Sequence, residues 1–419
     1  MPPPKETPMT AIDPTLLDKL AELAVKRGVN LQPGQDLLIT APVEALPLVR
    51  KIAEHAYRAG GGLVTPILSD EEITLARFQH GQGDVFDRAP GWLFEAQAAA
   101  YGQGVARMAV VADNPMMLAE QNPAKVARAN KATSVAGRPA MEKITNFEVN
   151  WNIVPYPGAA WARAMFPDLP EDEAVAKLAA AIFAATRADQ PDPVAAWAAH
   201  ADALRARVDW MNDKRFDALH FRAPGTDLTV GLARDHAWSG GASVSKTGVL
   251  CSPNMPTEEV FTTPDAARVC GTARASKPLV HQGTLIENIE VRFEGGRIVE
   301  AKASRGEAVL LNLLDTDEGA RRLGEVALVP HGSPISQSGL LFLNTLFDEN
   351  AASHIALGQC YAKCFTDPGM SREEIAARGG NESLIHVDWM IGSGEMDVDG
   401  IKDGRAEPVM RAGEWASDL

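Results

Sequence analysis

Leu16, Leu17, Leu20, Leu23 and Ala24 recur at three- and four-residue spacing, which predicts an amphipathic helix over residues 14–27 that ends in the Pro33-Gly34 turn. The apolar run at 36–40 is short enough to be a buried strand. Helical spacing returns over 44–59, Gly60-Gly61-Gly62 stops it, and 63–68 reads as the next strand, with a further strand at 107–111. Strand, helix and strand in that order imply a right-handed crossover and a parallel sheet with helices on both faces, a doubly wound (Rossmann-like) α/β arrangement. The glycine triplet follows its helix instead of opening one, so it reads as a C-cap. Neither G-x-G-x-x-G after the first strand nor G-x-x-x-x-G-K-[ST] occurs, and no nucleotide cofactor is expected.

Residues 171–213 are alanine-rich and helical, interrupted by Asp189-Gln190-Pro191-Asp192-Pro193. Beyond them the pattern changes to short β segments. Residues 218–221 and 228–232 form a hairpin around Pro224-Gly225-Thr226-Asp227, and 287–293 pairs with 298–301 through Glu294-Gly295-Gly296-Arg297. The chain therefore divides into an N-terminal α/β domain, 10–212, and a C-terminal α+β domain, 213–419.

A length of 419 residues exceeds what one core fills, and 46% hydrophobic residues are those of an ordinary globular protein. The formal charge of −15 disfavours nucleic acid and anionic membranes as partners. Met1-Pro2-Pro3-Pro4-Lys5-Glu6-Thr7-Pro8 lacks a signal-peptide layout and no apolar run is long enough to span a bilayer, so a cytoplasmic location is expected. Cys251, Cys270, Cys360 and Cys364 are too few and too uneven for a disulfide framework or a paired zinc site. Cys360 and Cys364 could share a helix face, but small buried side chains are the simpler reading.

The candidate chemistry lies in the C-terminal half. His386 and Asp388 fall two apart in Leu384-Ile385-His386-Val387-Asp388-Trp389-Met390, a predicted strand, so both project to one side while Ile385, Val387 and Trp389 pack the other. Burying both without a partner costs several kcal/mol, which a divalent cation would offset; the alternative is a hydrogen-bonded His–Asp pair at a sheet edge. Glu259 and Glu325 each precede a valine at the start of an apolar segment, where a solvated carboxylate or a helix cap is the alternative. Glu349 and His354, a helical turn and a residue apart, could approach one metal from a bent segment, with a solvated Glu349 as the alternative. Tyr361, seven residues on, would share the helix face of His354, or be a buried tyrosine with a bonded hydroxyl. Carboxylate and imidazole ligands without thiolate suit Zn, Mn, Co or Mg, and surplus carboxylates permit one to bridge two ions. Two such ions activate a shared water and can hold a free amine, a combination suited to removing an N-terminal residue from a peptide.

At these residues the chain resembles the thermophilic-type metallo-aminopeptidase family, the aminopeptidase T/S group. The likeness runs through Gln32-Pro33-Gly34-Gln35, Ala41-Pro42, Trp161-Ala162 and Phe166-Pro167. It continues through Pro253-Asn254-Met255-Pro256-Thr257-Glu258-Glu259-Val260-Phe261-Thr262, the run from Leu346-Phe347-Asp348-Glu349-Asn350-Ala351-Ala352-Ser353-His354 to Gly358, and His386-Val387-Asp388-Trp389-Met390-Ile391-Gly392-Ser393. The family usually has Gly before the first glutamate, where this chain has Glu258; Glu259, directly before Val-Phe, is the preferred ligand. The resemblance implies two divalent ions (Zn, Co, Mn or Mg) held by Glu259, Glu325, Glu349, His354, His386 and Asp388, with Glu325 bridging. It implies that Tyr361 donates a hydrogen bond to the oxyanion; the expected reaction is hydrolysis by a metal-bound hydroxide, with a glutamate, Glu325, relaying the proton to the leaving amine. It also implies a homodimer acting on short peptides.

A second reading keeps only His354, His386 and Asp388, the composition of a mononuclear non-haem Fe(II) oxygenase; some ring-cleaving dioxygenases of hydroxypyridines resemble this family. A third is a non-catalytic peptide-binding protein, against which Tyr361 and the full ligand set argue.

Overall fold

The computed structural model describes residues 11–281, 284–367 and 369–416. The Pro-rich start, Met1 to Pro8, lies outside them. Two compact units emerge: Met1–Ala198 with Ala242–Met255, and Ala199–Gly241 with Pro256–Leu419. The division expected near Asp213 and this one both fall inside a single helix, α8 (Pro193–Lys214), and the units return 242–255 to the first.

In the first unit, β1 (Leu37–Pro42), β2 (Val64–Ser69), β3 (Ala106–Val111) and β4 (Trp151–Pro155) form one parallel sheet in the order β2-β1-β3-β4. Central β1 is flanked on both sides, and Leu37, Leu38 and Ile39 are accordingly buried. Pro66 sits on edge strand β2, where a missing N–H does least harm. Among the helices, α1 (Pro14–Leu23) is N-capped by Asp13 and α2 (Leu46–Arg58) links β1 to β2. Helix α2 ends as expected: Gly60 has φ +80°, its N–H bonds Tyr57 O, and Gly61 N–H returns to Ala56 O. Helices α3 (Glu71–His80), α4 (Gly91–Gly102), α5 (Pro123–Thr145), α6 (Ala159–Met165) and α7 (Glu171–Ala185) complete the run before α8 (Pro193–Lys214). The sequence pattern misses β4 because buried Asn152 interrupts its apolar run; its Nδ2 donates to Ser252 O at 2.8 Å, one hundred residues away. A short pair, β8 (Ser243–Val244) with β9 (Leu250–Cys251), belongs to this unit.

The second unit is antiparallel throughout. Its first sheet joins β5 (Ala218–Ala223), β6 (Thr226–Leu232), β11 (Pro264–Arg274), β14 (Glu290–Glu294), β15 (Arg297–Lys302), β19 (Asp397–Lys402), β20 (Arg405–Arg411) and β21 (Glu414–Trp415). Both predicted hairpins are present, β5–β6 through Pro224-Gly225 and β14–β15 through Gly295-Gly296, whose φ values of +54° and +79° only glycine adopts freely. The second sheet has the order β18-β17-β16-β10-β7, from β7 (Ser239–Gly240), β10 (Val260–Thr262), β16 (Leu323–Leu328), β17 (His354–Gly358) and β18 (His386–Met390). A small pair, β12 (Leu279–His281) and β13 (Thr284–Ile286), stands apart.

One apolar core serves both sheets of this unit, taking Leu219, Phe221, Val230 and Phe293 from the first and Val260, Val326, Ile355 and Trp389 from the second. No helix among the described residues is long and apolar enough to cross a membrane.

Candidate metal centre

Strand parity builds the centre. Along β10, β16, β17 and β18 one set of alternating side chains, Val260, Val326, Leu328, Ile355, Leu357 and Trp389, enters the core. The alternate set, which includes Glu325, His354, His386 and Asp388, faces the other way. Register brings the second set into line: Glu325 lies opposite Ala356, and Ala356 opposite Asp388. Directly opposed residues share a face, so a carboxylate, a methyl group and a carboxylate follow one another across three strands. His354 and Gly358 are the neighbours of Ala356 on that face, and Gly358 lies opposite His386. The small Ala327, Ala356 and Gly358 leave room for the larger polar groups between them.

Distances show which groups meet. His354 Nε2 stands 3.2 Å from Glu259 Oε2, 3.6 Å from Glu325 Oε1 and 4.0 Å from Asp388 Oδ1. His386 Nε2 is 3.4 Å from Asp388 Oδ1 and 3.7 Å from Glu325 Oε2. The tightest group is Glu259, Glu325 and His354, whose ligand atoms all lie within 4.8 Å. Glu349 belongs to the short turn Glu349–Ala351 and is half-buried; it borders a pocket of about 330 Å³ that Asp388 also borders. Tyr361 stands at the rim, 39% exposed, its ring 4.7 Å from that of His386 and edge-on to Phe261.

Two sequence expectations are corrected. His354 is on a strand, not a bent helical segment, because Ile355 and Leu357 alternate into the core and β16 and β18 pair with it on both sides. Tyr361 therefore does not share a helix face with His354. It follows Gly358, whose φ of +100° turns the chain where a Cβ would fall 2.1 Å from Ile385 O, and it returns to His386 through the β17–β18 pairing. Glu325 is inside β16 and 4% exposed, neither a solvated carboxylate nor a cap. Cys360 and Cys364 are both buried and share no α-helix. Asn350 and His200 contact the backbone beside Glu259, and nothing in the local sequence marks either.

The chemistry of the donor set fits a cation. His354 Nδ1–H donates to Ala352 O at 3.1 Å and His386 Nδ1–H to Gln359 O at 2.7 Å. A carbonyl can only accept, so each neutral ring turns its Nε2 lone pair toward carboxylate oxygens. Lone pair against carboxylate is repulsive unless a proton or metal ion stands between. His354 Nε2, Glu259 Oε2 and Asp388 Oδ1 are buried without a hydrogen-bond partner, the mark of a site completed by something else. Burial opposes charge on both imidazoles, yet Glu259 and Glu325 push His354 well above the usual histidine range, and Asp388 with Glu325 holds His386 up at about 9. Burial and the surrounding carboxylates push Glu349 well up, and burial raises Glu325; His386 and His354 overcome burial to keep Asp388 low.

The chain is similar to known proteins along most of its length. A family model described as thermophilic metalloprotease (M29) matches residues 14–415. The chain is 56% identical over 400 residues to aminopeptidase T of Thermus thermophilus, covering 95% of this chain and 98% of that protein. It is 47% identical over 405 residues to aminopeptidase 2 of Geobacillus stearothermophilus, covering 96% and 98%. The solved structure of wild-type AmpT from Thermus thermophilus superposes with a TM-score of 0.92 at 54% identity, over 96% of this chain and 99% of that one. With a family match over residues 14–415 and relatives this similar, the chain belongs to the thermophilic metalloprotease (M29) family.

Proposed function

We propose that this chain is an aminopeptidase that removes N-terminal residues from short peptides with two divalent ions. Family membership implies a divalent metal; the number rests on charge and geometry. The carboxylates of Glu259, Glu325, Glu349 and Asp388 match the charge of two such ions. Glu325 directs Oε1 toward His354 and Oε2 toward His386, and this orientation, one oxygen to each imidazole, is the observation that carries the reading. It favours Glu325 as the bridge. Glu259, Glu349, His354, His386 and Asp388 complete the ligand set. When bound, the ions would lower the pKa of a shared water and polarise the scissile carbonyl.

The remaining steps fall to the chain's own groups. The pocket beside Asp388 and Glu349 has apolar walls from Pro278, Leu279, Leu343 and Met390, suited to an N-terminal side chain, while the carboxylates attract the peptide's ammonium group. Tyr361, whose hydroxyl burial and the carboxylates push well above the usual phenol range, stays protonated and donates to the oxyanion. Glu325 relays the proton to the leaving amine. We also assign a homodimer, on the family resemblance; light scattering should give about twice 44.8 kDa.

Leucyl and arginyl p-nitroanilides, assayed with chelator and after adding Zn or Co, test the reading. Cleavage should vanish with chelator and return with metal, purified protein should carry two ions, and Glu325→Gln should lose about 100-fold or more in kcat. Metal-independent cleavage, or none after metal loading, would overturn it. One Fe(II) per chain with oxygen consumption would instead support the dioxygenase reading; four carboxylates around two imidazoles exceed what that chemistry needs.

A further inference from the structure

We infer that Asn350 is the positioning residue that fixes the spacing between Glu259 and Glu349; this rests on reading the polar sheet face as a metal centre. Residues 257–259 have no regular structure before β10 begins. Buried backbone there needs partners from elsewhere. Asn350, wholly buried, accepts the Glu258 N–H on Oδ1 at 2.7 Å. His200 Nε2 donates to Thr257 O at 2.7 Å. Buried Glu258 turns its carboxylate toward His200, 3.7 Å away. Of the two adjacent glutamates, it is Glu259 that faces His354.

The orientation of the Asn350 amide follows from that contact. An N–H cannot donate to an NH2 group, so the atom facing Glu258 is the oxygen. Nδ2 then points the other way, to Leu346 O at 2.9 Å and Glu349 Oε1 at 3.4 Å. One side chain thereby ties the backbone beside Glu259 to the carboxylate of Glu349, two segments about ninety residues apart that no strand pairing joins. Groups of this kind orient metal ligands, and their loss commonly costs about 10- to 100-fold in metal affinity.

Asn350→Asp tests the role. It keeps the acceptor for Glu258 N–H, removes both donors and sets a further carboxylate beside Glu349. Calorimetric titration of the metal-free protein with Zn, together with the visible spectrum of the Co-loaded protein, reads the centre without relying on turnover. The expected result is affinity for one ion weakened about 10- to 100-fold, an altered Co spectrum, and a fall in kcat with KM for leucyl p-nitroanilide within about twofold. A folded Asn350→Asp protein with wild-type affinity and Co spectrum overturns the inference. If that variant fails to fold by circular dichroism, Asn350→Ser, which adds no charge, decides on the same readouts. Wild-type protein that takes up no metal in this titration overturns the metal reading itself and the inference with it; wild-type uptake matched by the variant overturns only the role of Asn350.

Discussion

A histidine whose Nδ1–H is committed to a backbone carbonyl has one lone pair left to offer. His354 and His386 are both in that state and both aim it at carboxylates. This single-residue feature could not be read from the sequence, where imidazoles near acids have many fates. What could be read was the side of the strand on which His386 and Asp388 stand, because two-residue spacing has one meaning in an extended chain. Tyr361 illustrates the opposite case. Its spacing predicts a helix face shared with His354, whereas the structure brings it beside His386 through the turn at Gly358. Tyr361→Phe keeps the ring contact and loses the hydroxyl. The expected outcome is a kcat about 10²- to 10³-fold lower, with bound metal and KM little altered, measured by steady-state kinetics and metal analysis. An unchanged kcat would remove Tyr361 from the mechanism.

At the scale of elements, the two hairpins and the helices α7 and α8 were legible because their signals are local: glycine at positive φ in the β14–β15 turn, alanine-rich periodicity in α7 and α8. Strand β17 was not, since His-Ile-Ala-Leu-Gly suits a helix or a strand and only pairing on both sides decides. Charge also ties elements together. Asp399 on β19 is 5% exposed and accepts from Arg222 on β5 at 2.6 Å and from Arg411 on β20. Burial pushes its carboxyl up, but the two guanidinium groups outweigh burial and hold it below the usual range. A carboxyl lowered on folding stabilises the native state above its unfolded value, about 3.9, and that stabilisation is lost as pH falls through the folded value. Asp399→Asn should therefore cost about 1–2 kcal/mol at pH 7, a modest figure because both arginines are partly exposed. Urea denaturation should show the full deficit at pH 7 and a smaller one at pH 3. An equal deficit at both values would assign the effect to packing.

For the molecule as a whole, Glu325 and Asp388 on the sheet face and Glu259 and Glu349 from segments beside it crowd together and repel one another in the absence of counter-charge. Bound metal should stabilise the fold by an amount that grows with the logarithm of its concentration, about 4 kcal/mol at a thousand times Kd. Chelator should lower Tm by several degrees and added Zn or Co should restore it; a Tm indifferent to both would argue against a metal centre. By itself the sequence determined the parallel α/β arrangement of the first unit, the two hairpins of the second, and the acids and imidazoles available for chemistry. These depend on periodicity and turn residues, which act over a few positions. Tertiary structure alone decided which acids meet which imidazoles. Glu259, Glu325, His354 and Asp388 converge through strand register and irregular backbone held by Asn350 and His200, and register is set by how distant strands pack their apolar faces, information that no short stretch of chain contains.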